Sequence, residues 1–467
     1  MSKTNSYLEK NQINTLIPMV ILTTLFFIFG FVTWLNGPLI PFFKLACELT
    51  ESQAYFVTFA FYIAYFVMAI PSSWLIEKVG YKNGLSLGLG IIALGAFLFY
   101  PAAGARTFGL FLIALFVMGT GLAVLQTAAN PYVVVIGPRE SAAARISVLG
   151  IANKLAGFLA PLALTALVLS NIGDYTAEKI ALLSTAEKNE ALNALALQLQ
   201  TPYLYMGIVI LFLAVLIKFS PLPEINLDQD GTVAHLSIFQ QIKAAFQYPQ
   251  LVFGVITLML YIAAEVLAGD SIGGFGKKLG VYGDNGDFYL KLTSFTMTAM
   301  VIGYILGITL IPKYVSQVLA LKTSGFLGSI LVVLIVFISP AIMVQLPGIP
   351  ALPLVIVLVA LLGLANALCW PAIFPMALQD LGGFTKIGGA ILIMGIIGGA
   401  IFPLIYGSWA DAINVANETT GIAETAKSGN QIAYLILLPA YFMILFFAFK
   451  GHKYRSWSKK IIISSIK

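Results

Sequence analysis

Three ionisable side chains, Lys154, Glu265 and Asp270, stand inside long apolar stretches of this 467-residue chain. An ionisable group in such a stretch costs at least about 2.5–3.5 kcal/mol on membrane-insertion scales, so each is a candidate for binding or moving an ion. Lys154 follows Arg145 by nine residues, about 13 Å along a helix at 1.5 Å per residue. Gly150 and Gly157 flank it on its own helical face, which is therefore either closely packed or lining a cavity. Glu265 is the one acid deep within its stretch, and its behaviour depends on whether Lys154 comes close. Asp270 stands nearer an end and is expected to be hydrated.

Amides and aromatics make up the second set of candidates. Gln126 and Asn130 are four apart and share a helix face, with the small residues Gly119 and Ala123 on the same stripe leaving room above them. Pro131 lacks an amide hydrogen and so frees the carbonyl of Thr127. Asn366 and Trp370 repeat the spacing, and Pro371 frees the carbonyl of Ala367. Asn36 sits beside Pro38 and Pro41, which break their helix and expose backbone acceptors. Asn153 precedes Lys154. Amides that bind a ligand and amides that bridge neighbouring helices look alike at this level. Trp370 could equally sit in an interfacial belt.

The elements that carry these residues follow from composition. The chain is 59% hydrophobic and 10% charged, with mean hydropathy +0.94. A soluble chain carries about 25% charged residues, so lipid must cover much of this surface. A helix needs about 20 apolar residues to span the hydrocarbon core. Twelve segments qualify: 14–37, 53–75, 83–103, 107–136, 143–171, 201–220, 249–276, 288–312, 322–343, 350–376, 387–409 and 431–449. Their runs are continuous rather than alternating, which excludes a β-barrel. The expected fold class is an all-α membrane protein of twelve transmembrane helices in two six-helix halves. The halves are 1–220 and 249–467, joined by a polar cytoplasmic linker at 221–248. The loop at 172–200 reads either as an amphipathic helix outside the bilayer or as a solvated connector.

Placing the N-terminus inside puts seventeen Lys and Arg side chains on the inner side against eight outside, with Lys154 alone within a span. That is the sense of the positive-inside rule, and it makes both termini cytoplasmic. The net charge of +6 thus reports topology, and no nucleic-acid partner is expected. The apolar run Leu16–Trp34 is too long for a cleavable signal and reads as the first span. Cys47 and Cys369, with His235 and His452, offer no metal-ligand spacing. No nucleotide loop or hydrolase motif is present. Enzymatic activity, ATP-driven pumping and a cofactor are therefore not expected.

The fourth span and its exit resemble the tenth. Pro131 precedes Gly150 by 19 residues and Pro375 precedes Gly395 by 20, with Arg145 and Lys386 at the starts of the following spans. Two six-helix halves repeated in parallel fit the major facilitator pattern.

Several stretches resemble the fucose:proton symporter family of the major facilitator superfamily, in its glucose/galactose and N-acetylglucosamine branch. They are Trp34-Leu-Asn-Gly-Pro-Leu-Ile-Pro41, Pro71-Ser-Ser with Lys78-Val-Gly-Tyr-Lys82, and Leu125-Gln-Thr-Ala-Ala-Asn-Pro-Tyr132 with Ile136-Gly-Pro138. Tyr261-Ile-Ala-Ala-Glu-Val266, Pro371-Ala-Ile-Phe-Pro-Met, Lys386-Ile-Gly-Gly and Ile396-Ile-Gly-Gly complete the set. The resemblance implies import of a hexose-type sugar across the bacterial inner membrane by alternating access, coupled to protons or sodium, by a monomer. Asn36, Gln126, Asn130, Asn153, Glu265, Asn366 and Trp370 would bind the sugar, and Glu265, Lys154 and Asp270 would serve ion coupling. Asn36-Gly37 and Gln126 stand where the fucose symporter has Asn-Asp and Glu, so two of that family's acids are neutral here. Two alternatives remain at this stage: a uniporter with Lys154 as a built-in cation, and a non-transporting sugar sensor, which the short tails disfavour.

Overall fold

The computed structural model describes residues 16–136, 142–167, 179–180, 182–224, 236–283, 286–311, 313–420 and 428–457. Gly137, Pro138, Arg139, His235, the middle of the linker and both termini lie outside them. Twelve segments among the described residues are helical, long and apolar enough to cross a membrane, one for each segment expected from composition.

The first span is α1 (Leu16–Trp34) and α2 (Asn36–Ala46), separated at Leu35. The expected break is there, but the span continues nine residues past its expected end at 37. The second is α3 (Phe56–Val79). It stops at Gly80, whose φ of +84° few side chains tolerate. Glu224 then accepts the backbone amides of Tyr81 and Lys82, satisfying orphan donors at the start of α4 (Tyr81–Ala105). The fourth and fifth spans are α5 (Phe108–Val135) and α6 (Ala142–Leu167). The sixth is preceded by α7 (Thr185–Leu197) and crosses as α8 (Gln200–Phe219). Ser184 and Glu187 form a capping box on α7, which buries Leu192 and Leu195. The helical reading of that loop holds over Thr185–Leu197; residues 172–178 lie outside the described residues. Within the linker, α9 (Ile238–Ala245) is a short helix capped by Ser237.

The remaining spans are α10 (Pro249–Lys278), α11 (Leu292–Leu310), α12 (Gln317–Phe337), α13 (Leu354–Asn366) with α14 (Cys369–Leu378), α15 (Thr385–Met394) with α16 (Gly398–Thr419), and α17 (Leu438–Phe449). The ninth span ends at Phe337 rather than 343, and a two-residue pairing of β1 (Met343–Val344) with β2 (Leu352–Pro353) follows. The tenth span is interrupted at Ala367–Leu368, ahead of Pro371, so it is two helices rather than one.

In the first six spans α5 packs on α3 and α4, α8 on α4, and α1 on α6. In the last six α13 packs on α11, and α12 on α13 and α17. The two sets meet where α6 lies on α11, α3 on α15 and α16, and α2 on α10. Within the spans, several Thr and Ser hydroxyls return to carbonyls one turn back, as Thr127 does to Ala123 at 2.8 Å, whereas those of Thr33, Ser72, Thr120 and Thr165 are buried without a partner.

Candidate functional site

The break at Leu35 places Thr33, Trp34 and Asn36 at the centre of the molecule. The Trp34 ring packs where side chains at Gly157 of α6 and Gly269 of α10 would stand, with Met297 of α11 alongside. The Lys154 ammonium sits over that ring, 4.6 Å from its centroid. Gly150 is closed by the ring of Tyr304, so the face of Lys154 is closely packed.

Lys154 forms an ion pair with Glu265, and Tyr261, one turn earlier on α10, donates its hydroxyl to the other carboxylate oxygen. Lys154 is 6% and Glu265 5% exposed. A buried charge is tolerable when it is paired and its remaining acceptors are bonded. Both oxygens of Glu265 meet that condition.

Asp270 does not. It is 0% exposed, and neither carboxylate oxygen has a hydrogen-bond partner. The expected hydration at the outer mouth is therefore incorrect. The reason is the longer first span: α2 reaches Ala46 and packs on α10, and Gly37 lies against Gly269 and Thr293. Thr293 and Thr296 of α11 donate to the carbonyls of Gly269 and Ala268 and cover another side.

The amides divide. Asn36 is 1% exposed with its Nδ2 unpaired. Gln126 Oε1 and Asn130 Nδ2 are likewise buried and unpaired. The space expected above that pair is smaller than the sequence implies, because Gly119 presses directly on the Phe61 backbone of α3. Asn153 instead donates to the Phe26 carbonyl of α1 at 3.4 Å, a helix-bridging role. Asn366 is fully buried, accepts from the Tyr441 hydroxyl at 3.1 Å, and keeps Nδ2 unpaired. Trp370 is half-buried and stacks on Phe374 at 5.4 Å. With the helix interrupted between them, Asn366 and Trp370 serve different contacts instead of one shared face.

The structure thus gathers Asn36, Lys154, Glu265 and Asp270 around the α1–α2 break. Asn366 instead bonds the Tyr441 hydroxyl of α17. No hydrogen bond or ion pair among the described residues links Gln126 or Asn130 to this centre. Tyr62 and Tyr65, stacked at 6.2 Å on α3, were not picked out from the sequence, nor was Trp34 as a site residue. Their hydroxyls and the Trp34 Nε1 are buried and unpaired. The available signal was two tyrosines three apart within one span.

A Major Facilitator Superfamily model matches residues 22–433. The chain is 32% identical over 432 residues to a glucose/galactose transporter of Brucella abortus, covering 92% of this chain and 93% of that one. It is 29% identical over 397 residues to the L-fucose-proton symporter of Escherichia coli, covering 85% and 87% respectively. A crystal structure of the transporter FucP in the outward conformation matches with TM-score 0.69 at 26% identity, covering 93% of this chain and 98% of that chain.

Proposed function

This chain belongs to the major facilitator superfamily, and from that premise we propose that it imports a hexose-type sugar across the bacterial inner membrane by alternating access, coupled to a cation. The relatives named for glucose/galactose and L-fucose support the substrate class. In the proposed organisation, residues 1–220 and 249–467 are the two moving halves, 221–248 is their cytoplasmic linker, and both termini face the cytoplasm.

The observation that carries the reading is that Asn36, Gln126, Asn130, Asn366 and the Trp34 indole are among the side chains with buried polar atoms that have no protein partner. Buried polar groups are almost always hydrogen-bonded. Asn153, by contrast, bridges to the α1 backbone. Unpaired amides beside aromatic rings suit a ligand with many hydroxyls and apolar ring faces. Radiolabelled glucose, galactose, L-fucose and N-acetylglucosamine, offered to proteoliposomes under separate proton and sodium gradients, test the reading. Accumulation of at least one sugar under one gradient is expected.

A second reading draws on Lys154, which already compensates Glu265. A fixed internal cation could replace a transported one and leave a uniporter. Vesicles that equilibrate sugar but never concentrate it would favour that reading.

A further inference from the structure

Two carboxyl groups lie buried on α10, and only one has a partner. Glu265 is bonded at both oxygens, to Lys154 and to Tyr261. Asp270, five residues on, is bonded at neither. It stands eight residues before the end of the helix at Lys278, about 12 Å at 1.5 Å per residue.

Its direction follows from its neighbours. Val266 and Asp270 are four apart and share a stripe of α10. Val266 and Tyr62 press on the same point of α16, each about 3 Å from where a side chain at Gly399 would begin. The stripe therefore looks toward α3 and α16, along the seam between the first six spans and the last six. The phenols of Tyr55 and Tyr62 lie within the electrostatic reach of Asp270.

The other titratable groups around this part of α10 are engaged elsewhere. Lys44 pairs with Glu51, and Lys291 with Asp287. Asp411 accepts the Ser52 amide at 3.0 Å, Tyr406 donates to the Asn430 carbonyl, and Tyr434 bonds Ser271. Lys277 lies over the Tyr289 ring, and both Lys277 and Lys278 sit in the field of Lys44 and Glu51. Among the described residues, no cation and no donor answers Asp270.

We propose that Asp270 is the proton-binding group that couples sugar movement to a proton gradient, while the Lys154–Glu265 pair stays a fixed charge pair. The proposal rests on the sugar-carrier reading above. An ionised carboxylate without a partner is strongly unfavourable in an apolar interior, whereas the neutral acid is tolerated. Closing the seam over Asp270 in this arrangement, where neither oxygen has a partner, therefore requires its proton. Water on one side protonates a carboxylate oxygen, the halves close, and opening on the other side returns that proton to water. No other bond changes. The empty carrier returns with Asp270 ionised, which needs a donor that this arrangement does not supply, and the Tyr62 hydroxyl on α3, itself unpaired, is the one the seam offers.

The test uses proteoliposomes of the full chain with radiolabelled glucose, galactose and L-fucose. Sugar exchange and proton-driven accumulation are measured for wild type, Asp270→Asn and Glu265→Gln. Exchange needs no net proton movement. Asp270→Asn is expected to lose accumulation by about tenfold or more relative to its own exchange rate. Glu265→Gln is expected to lose both together, because it breaks the ion pair. Accumulation by Asp270→Asn equal to wild type overturns the proposal, as does the split appearing in Glu265→Gln instead. Wild-type accumulation driven by sodium alone also overturns it. A wild type that exchanges none of these sugars removes the carrier reading itself, and the proposal with it. If Asp270→Asn does not exchange, sugar binding to purified protein in detergent decides. Wild-type affinity should weaken by about tenfold or more from acid to alkaline pH, and Asp270→Asn should show no such slope. Matching slopes in the two proteins overturn the proposal.

Discussion

Glu265 and Asp270 share a helix, a burial class and a chemistry, yet the protein treats them in opposite ways. Glu265 meets an ammonium and a phenol, and Asp270 meets neither. In the first case the charge is retained and compensated, and the compensation joins α6 to α10. In the second nothing compensates a charge, so in this arrangement the group is compatible with closure only when neutral. The same contrast runs through the amides. Asn153 bonds the α1 backbone, whereas Gln126, Asn130 and Asn36 keep unpaired atoms. Paired polar groups hold helices together. Unpaired ones are free to bind something that arrives and leaves.

The largest effect should come from breaking the compensated pair. Lys154→Met strands a buried carboxylate and should cost about 3–5 kcal/mol of stability. Thermal or denaturant unfolding in detergent would measure it. The double variant Lys154→Met with Glu265→Met should recover most of that loss, since it removes both charges at once. If the double variant is as unstable as the single one, the pair is not what distinguishes Glu265 from Asp270.

Unpaired amides should behave differently. Gln126→Ala is expected to weaken sugar binding by roughly tenfold, the consequence of about 1–3 kcal/mol for a polar partner left unmet. The unfolding midpoint should barely move. A shifted midpoint with unchanged sugar affinity would place Gln126 among the paired, structural group. Trp370 should give a smaller response. Loss of an aromatic contact is worth about 0.5–1.5 kcal/mol, so Trp370→Ala should weaken sugar affinity modestly while Trp370→Phe is nearly neutral. Equal affinity for both variants would assign the ring to its stack on Phe374 alone.

All twelve spans were legible because lipid imposes one requirement on every crossing segment, a long apolar helix. Their ends were less legible. Asn36 marks the break in the first span, which falls at Leu35, but Pro38 and Pro41 do not break the helix, which runs on through both to Ala46. That extension is why Asp270 is buried rather than hydrated, since depth counted along α10 ignores what another helix lays over it. The meeting of Lys154 with Glu265 spans 111 positions of sequence. No local pattern encodes such a contact; only the packing of α6, α10 and α11 creates it. Gly150 and Gly157 carried a partial signal, since they showed that the lysine face is tightly packed without showing against what. Tyr62 and Tyr65 were overlooked because aromatics in a span usually pack, and only their unpaired hydroxyls set them apart.

The smallest effect on stability is expected where a carboxyl changes least. Asparagine has nearly the shape of the neutral aspartic acid, and each brings a donor and an acceptor into the same enclosed position. If Asp270 is neutral when the seam is closed, Asp270→Asn removes no charge and breaks no bond, because neither oxygen has a partner to lose. The unfolding free energy should then change by less than about 1 kcal/mol, far below the cost of separating a buried ion pair. The measurement should be made from mildly acid to alkaline pH. Where wild type must take up a proton at Asp270 to close, increasingly so toward alkaline pH, the variant should become the more stable of the two, because it has no proton to bind. A variant markedly less stable than wild type at every pH would mean that the carboxylate is charged and answered by some group, and that the two acids of α10 are alike after all.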